Sequence, residues 1–313
     1  MVNYFRVILG LLLGVLVNAS GLEGGATDEA APAKKYNLSA CAIFKDEARY
    51  LKEWIEYHRL LGVDHFYLYN NDSTDAFQDV LIPYVNEGIV TLINWPNGLS
   101  YYFLDEENEA YIWSLSTQVT AYENAIKVAG VNDTKWMVFL DVDEFLVPPT
   151  GSKLTTILEN YDEYPGVTLC SDFFDASKIG TLPKRKLVIE TVELTGAPIQ
   201  NPQKAVEKTI VKPDLCTAFV WPPYKCLFKE DQKAAKLSKR VMRINRYVYR
   251  YKNYLELYRK IKNKLNVDNR MLPDNVTQEL LDVGYEIEDQ ERVIYRFLPE
   301  LRKRMGFESE WAW

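Results

Sequence analysis

The sequence predicts an α/β fold with a mostly parallel central sheet flanked by helices, and three observations carry that expectation. Short apolar runs alternate with segments of helical periodicity from Leu38 to Ile93, with brief links between them. Such β-α-β-α-β alternation implies parallel strands joined by right-handed crossovers. A further run, Trp136 to Leu140, is short, bulky and apolar like a fully buried strand, and it breaks off directly into Asp141, Asp143 and Glu144. Two earlier runs break off in the same way, into Asp46-Glu47 and into Asn70-Asn71-Asp72. Polar tips at the carboxyl ends of parallel strands face the ligand crevice of an open α/β sheet, so three of them on one edge make a candidate site.

In chain order, Leu38 to Phe44 is the first strand. Tyr50, Leu51, Trp54, Ile55, His58 and Leu61 follow at helical spacing, and Gly62 ends that helix. His65 to Tyr69 is the second strand, running into the turn-forming cluster Asn70 to Asp75, which is expected to cap a helix over Val80 to Val85. Gly88 ends this helix and Ile89 to Ile93 is the third strand. A helix from Trp113 to Ala129 carries Gln118, Tyr122 and Asn124 ahead of the Trp136 strand.

Beyond Gly151 the expected elements are a short helix at Leu154 to Leu158 and strands at Gly166 to Cys170, Leu187 to Leu194 and Lys208 to Pro213. Ala218 to Phe228 is an aromatic and proline-rich stretch. From Lys229 to Arg270 basic residues interleave with tyrosines, the pattern of an amphipathic helix with a solvated basic face. Val293 to Leu301 reads as a closing helix. The second half is expected to continue the sheet and to build the other wall of the cleft.

Composition bounds the function. The 313 residues are 47% hydrophobic, ample for a packed core, and the formal net charge of −7 argues against nucleic acid as a partner. The two histidines, His58 and His65, lie close together near the N-terminus, which excludes a zinc-type histidine cluster and a triad with a late histidine. Of the four cysteines, Cys216 and Cys226 are the expected pair and Cys41 an expected core residue. Arg6, the apolar stretch Val7 to Val17 and the small-residue pattern Val17-Asn18-Ala19 read as a signal peptide or signal-anchor over residues 1–20, with a flexible linker over 21–36. A secretory or membrane-associated location, with membrane association through the N-terminus, is the corresponding expectation.

Asp141 and Asp143 lie on one side of an extended chain, with Val142 turned away. Two like charges held that close call for a cation, and hard oxygen ligands with open positions suit Mg²⁺ or Mn²⁺ carrying a diphosphate.

The ordered motifs Ile43 to Glu47, Leu51 to His58, Gly62 to Asp75 and Phe139 to Phe145 together resemble glycosyltransferase family 92, over roughly Leu38 to Arg302. The resemblance implies a GT-A-type, Rossmann-like single domain over 37–305, with a nucleotide-binding half at 37–150 and an acceptor half at 151–305. It implies a UDP-sugar donor, with galactose as the expected hexose, a glycan acceptor, a divalent metal at the Asp-x-Asp, and inversion at the anomeric carbon. Carried over by position, Asp141 and Asp143 are the metal ligands, with Mn²⁺ or Mg²⁺ as cofactor. Asp46, Glu47, Asn71, Ser73, Asp75, Gln118, Asp141 and Lys208 fall to nucleotide-sugar binding. Where the family has Asn-His-Tyr this chain reads Asn245-Arg246-Tyr247, so Arg246 is expected to neutralise the diphosphate directly. The family's Phe-Gly is replaced by Phe174-Asp175, and its Pro-His by Pro223-Tyr224. Asp172 and Asp175, at the next strand tip, are the candidates for the base that takes the acceptor proton. A nucleotide- or carbohydrate-binding relative without turnover is the second reading.

Overall fold

A computed structural model describes residues 33–96, 102–103, 113–114, 117–175, 182, 184–195, 198–199, 207–220, 225–248 and 289–307. The expected signal segment, most of the linker, Trp221 to Tyr224 and Tyr249 to Arg270 lie outside the described residues. The first half follows the expected alternation: β1 (Tyr36–Phe44), α1 (Ala48–Leu60), β2 (His65–Asn70), α2 (Phe77–Asn86) and β3 (Val90–Asn94). Gly62 and Gly88, at φ +97° and +72°, close the two helices in the left-handed region where a Cβ is disfavoured. Two short strands, β4 (Tyr102–Phe103) and β5 (Trp113–Ser114), pair with each other ahead of α3 (Thr117–Asn124), which runs into a π-helical turn to Ala129.

Then come β6 (Thr134–Phe139), β7 (Glu144–Val147), α4 (Leu154–Glu159), β8 (Gly166–Asp175), α5 (Val188–Thr195), β9 (Pro198–Ile199) and β10 (Glu207–Val211). The chain continues through β11 (Cys216–Val220), β12 (Lys225–Phe228), β13 (Ala235–Lys236) and β14 (Arg243–Val248). A 3₁₀ segment and α6 (Leu298–Met305) close it.

The main sheet runs β3-β2-β1-β6-β10-β8-β14-β7. From β3 to β6 every pairing is parallel. Past β6 the sheet is mixed: β10 is antiparallel to both neighbours, β14 is parallel to β8 and antiparallel to β7. The fold is thus α/β with helices on both faces, parallel in its first half and mixed in its second.

Alternation divides the core between those faces. Leu38, Ala40, Phe66, Leu68, Trp136 and Val138 point to the side covered by α1, α2 and α6. Cys41, Tyr67, Tyr69, Met137 and Phe139 point to the other, covered by α3 and the β11–β12 hairpin. That hairpin carries the expected Cys216–Cys226 disulfide, with Cα atoms 6.0 Å apart.

Three expected elements differ. Trp113 and Ser114, expected to open the helix that runs to Ala129, form β5 instead, paired with β4. Leu187 to Leu194 is helical where a strand was expected, because the buried Glu53 carboxylate accepts the Val188 and Ile189 N–H groups at 2.9 and 3.2 Å, capping the first turn of α5 from outside. Within the basic stretch, Arg243 to Val248 is a strand wedged between β7 and β8 where a solvated helix was expected. Ile244, and Met242 just before the strand, are buried and its arginines meet carboxylates, so the basic side chains serve pairing inside the fold.

Candidate active site

At the carboxyl end of β6 the chain does not stay extended. The Glu144 N–H donates to the Asp141 carbonyl at 3.0 Å, closing a turn over Asp141-Val142-Asp143-Glu144, and the Asp141 N–H donates to Glu144 Oε2 at 2.8 Å. The turn gathers Asp141, Asp143 and Glu144 so that one carboxylate oxygen from each lies within 4.8 Å of the others. Glu144, expected at the strand tip but assigned no role there, is its fully buried centre. The adjacent acid was visible in the sequence, but its inward direction depends on the turn.

Three carboxylates this close are tolerable only with cations between them. Two arrive from distant strands. Lys208 on β10 is bound to Glu144 Oε2 and lies 3.5 Å from Asp141 Oδ1. Arg246 on β14 reaches Asp141 at 3.0 Å, Asp143 at 3.3 Å and Glu144 at 3.5 Å. Gln118 on α3 donates to Asp141 Oδ1 at 2.8 Å.

The charge states follow. Burial pushes Glu144 up to about 7 despite Lys208. Burial also lifts Asp143, more than Arg246 offsets. Burial opposes ionisation of Asp141 too, but there Lys208 and Arg246 prevail and hold it below the usual carboxylate range. Lys208 is desolvated, yet Asp141 and Glu144 keep it firmly protonated.

Whether this set suits a divalent cation can be read from its six carboxylate oxygens. All are hard donors of the kind Mn²⁺ and Mg²⁺ take. Five have a partner among Lys208, Arg246, Gln118 and the Asp141 N–H. The sixth, Asp143 Oδ1, is buried with no hydrogen-bond partner among the described residues. A buried carboxylate oxygen left bare is costly without a ligand. The residues present therefore fit a divalent cation.

The other expected site residues divide into two groups. At the tips of β1 and β2, Asp46, Asn71, Ser73 and Asp75 are bonded into the loops. The Thr74 N–H donates to Asp46 Oδ1 at 2.7 Å, the Asp46 N–H to Ser73 Oγ at 3.0 Å, and the Ala48 N–H to Asp75 Oδ2 at 2.7 Å. Asn71 donates to the Trp95 carbonyl at 2.8 Å. Asp75 thus caps the start of α1 rather than α2, as its expected role had it, and its Oδ1 is buried without a partner. Glu47 stands at the N-cap of α1, and Asp46 and Asp72 take left-handed φ of 55° and 53°, which aspartate tolerates.

The second group sits on β8. Asp172 is bound to Lys239 and lies 3.6 Å from Arg243. In register it stands opposite Asn245, whereas Arg246 stands opposite Phe173, so alternation puts the Asp172 carboxylate on the other side of the β8–β14 pair from the acid cluster. Asp175 is the last residue of β8, opposite Val248.

Among the described residues no helix is long and apolar enough to cross a membrane. Comparison with known proteins gives consistent relatives. A glycosyltransferase family 92 protein of Oryza sativa subsp. japonica is 27% identical over 222 residues, 69% of this chain and 34% of that protein. A family 92 protein of Ricinus communis is 26% identical over 228 residues, 69% of this chain and 35% of that one. The chain thus spans about a third of the length of these relatives. The Arabidopsis thaliana galactan β-1,4-galactosyltransferase GALS3 is 31% identical over 151 residues, 44% of this chain and 26% of that protein.

Among solved structures, S. aureus TarS in complex with UDP aligns over 87% of this chain and 88% of its own, at 11% identity and a TM-score of 0.38. Glucosyl-3-phosphoglycerate synthase from Mycobacterium tuberculosis, with Mn²⁺, UDP and glucosyl-3-phosphoglycerate, aligns over 60% and 61% at 14% identity and a TM-score of 0.30. A model of glycosyltransferase family 92 matches residues 34–292. The chain belongs to glycosyltransferase family 92.

Proposed function

We propose that this protein is a glycosyltransferase that moves a hexose, galactose first, from a UDP-sugar to a glycan hydroxyl with inversion at the anomeric carbon, using Mn²⁺ or Mg²⁺. The observation that carries the reading is the turn at the end of β6, where three carboxylates converge and Asp143 Oδ1 is left bare. The similarity to a galactan β-1,4-galactosyltransferase supports galactose as the sugar.

Asp143 and Asp141 would hold the metal, which when bound supplies positive charge for the departing diphosphate. Lys208 holds the carboxyl groups of Asp141 and Glu144 in place, and Gln118 orients Asp141. The tips of β1 and β2 border the nucleoside end, with Asp75 Oδ1 as an open acceptor there. An acceptor hydroxyl needs a base. Lys239 and Arg243 tie up Asp172, which leaves Asp175 as the candidate of the pair.

A screen of UDP-sugars with Mn²⁺, read as UDP release, tests this. UDP-galactose should give the highest rate, and Asp143→Ala should lower it at least about a hundredfold, as loss of a group that stabilises developing charge does, with little change in melting temperature. Equal turnover in wild type and variant would overturn the metal role. UDP binding without turnover of any donor would favour a nucleotide-binding relative.

A further inference from the structure

Gln118 meets the acid cluster with its amide nitrogen, and that nitrogen is shared. Gln118 Nε2 donates to Asp141 Oδ1 at 2.8 Å and to the Tyr122 hydroxyl at 2.8 Å, so both of its protons are used. The two residues stand four apart on α3, one helical turn, and so share a face. A planar amide held at one point can pivot about that bond, or turn its carbonyl oxygen toward the carboxylate, which repels it. Held at two points it can do neither. The second point is itself fixed. Tyr122 is fully buried, with ring centroids 4.7 Å from Phe139 and 5.7 Å from Phe219, and those two rings lie 4.7 Å apart. Phe139 ends β6 two residues before Asp141, and Phe219 stands opposite Cys226 in the disulfide-closed β11–β12 hairpin. Burial first, and then the nearby Asp141 charge, hold the Tyr122 phenol well above its usual range, so it serves as a neutral hydroxyl.

We propose that Tyr122 is a positioning residue of the acid cluster: its hydroxyl, held between Phe139 and the β11–β12 hairpin, fixes the Gln118 amide and, through it, the Asp141 carboxylate. Groups behind a metal-binding carboxylate set its direction and so its affinity, although they touch no metal themselves. Tyr122 acts on the site through Gln118. A tyrosine that only filled the space between two phenylalanines would matter equally whether Gln118 were present or not. The inference deepens the metal-binding reading of the cluster, but its first measurement needs no metal.

That measurement is exchange of glutamine side-chain amide protons with water, followed by NMR on the metal-free full chain. In wild type the Gln118 Nε2 protons should exchange at least about tenfold more slowly than those of Gln78, which is exposed on α2. Tyr122→Phe, which keeps the ring and removes the hydroxyl, should return most of that protection. The second measurement is Mn²⁺ affinity by calorimetry in wild type, Tyr122→Phe, Gln118→Ala and the double variant. Tyr122→Phe should weaken Mn²⁺ binding about tenfold, and in the Gln118→Ala background it should weaken it no further. Gln118 protons that exchange as fast as those of Gln78 in wild type overturn the proposal, and this comparison stands even if melting shows that Tyr122→Phe is unfolded. So does an unchanged Mn²⁺ affinity in Tyr122→Phe, or a loss of the same size with and without Gln118. Failure of the metal reading is separate: it shows as no Mn²⁺ binding by wild type, and the exchange rates alone then decide the role of Tyr122.

Discussion

The tips of β1 and β2 and the turn after β6 look alike on paper, each an apolar run ending in acids, yet their carboxylates are satisfied by different partners. At the β1 and β2 tips the acceptors take backbone N–H groups: Thr74 to Asp46, Ala48 to Asp75, Ser73 to Asn70. After β6 they take side-chain cations from strands 64 to 105 residues further along. A backbone N–H cannot leave without unfolding its loop, so the first tips are scaffold that holds two loops and the start of α1 in register. A side-chain cation can be exchanged for a ligand. The difference separates tips held by their own loops from a cluster held by side chains of distant strands.

The comparison can be broken most sharply at Lys208. Lys208→Met takes from the buried Glu144 its closest cation, leaving only the longer Arg246 contact, and the unfolding free energy should fall by about 3–5 kcal/mol at pH 8, measured by chemical denaturation. A loss under about 1 kcal/mol would mean that cations do not hold the cluster together.

Glu53 extends the comparison to a buried acid held by backbone donors. Burial pushes its carboxyl up to about 7, which the Val188 and Ile189 N–H groups offset only in part. Because the folded value lies above the unfolded one, its contribution is fully present below about pH 4.5 and is lost as pH rises toward 7. The loss is about 3 kcal/mol over that window. Glu53→Gln should flatten this part of the stability profile while keeping the cap on α5, and an unchanged profile would assign the charge elsewhere.

Asp75→Ala removes the acceptor at the start of α1 and should cost about 1 kcal/mol, several times less than the change at Lys208. Ser73→Ala, which frees only the Asp46 N–H at a half-exposed tip, should cost about 0.5 kcal/mol or less. If either exceeded the cost at Lys208, the two kinds of tip would have been ranked the wrong way round.

Much of the first half was legible because its signals are local. Periodicity gave α1, the glycines gave its end and that of α2, and apolar runs gave β1, β2, β3 and β6 within a few residues. The second half was less so. Leu187 to Leu194 is apolar enough for either structure, and the deciding acceptor, Glu53, lies about 135 residues earlier. Tyrosines interleaved with basic residues gave no sign that Arg243 to Val248 would enter the sheet between β7 and β8.

By itself the sequence determined that acids end a buried strand and that an arginine, Arg246, stands between Asn245 and Tyr247, since both are matters of residue order. Only the tertiary structure decided which acid is the centre, which cations from other strands reach it, and that Asp172 faces away. Those depend on where β10 and β14 enter the sheet and on the tight turn that points Glu144 inward, and pairing between strands so far apart leaves no local trace in the chain.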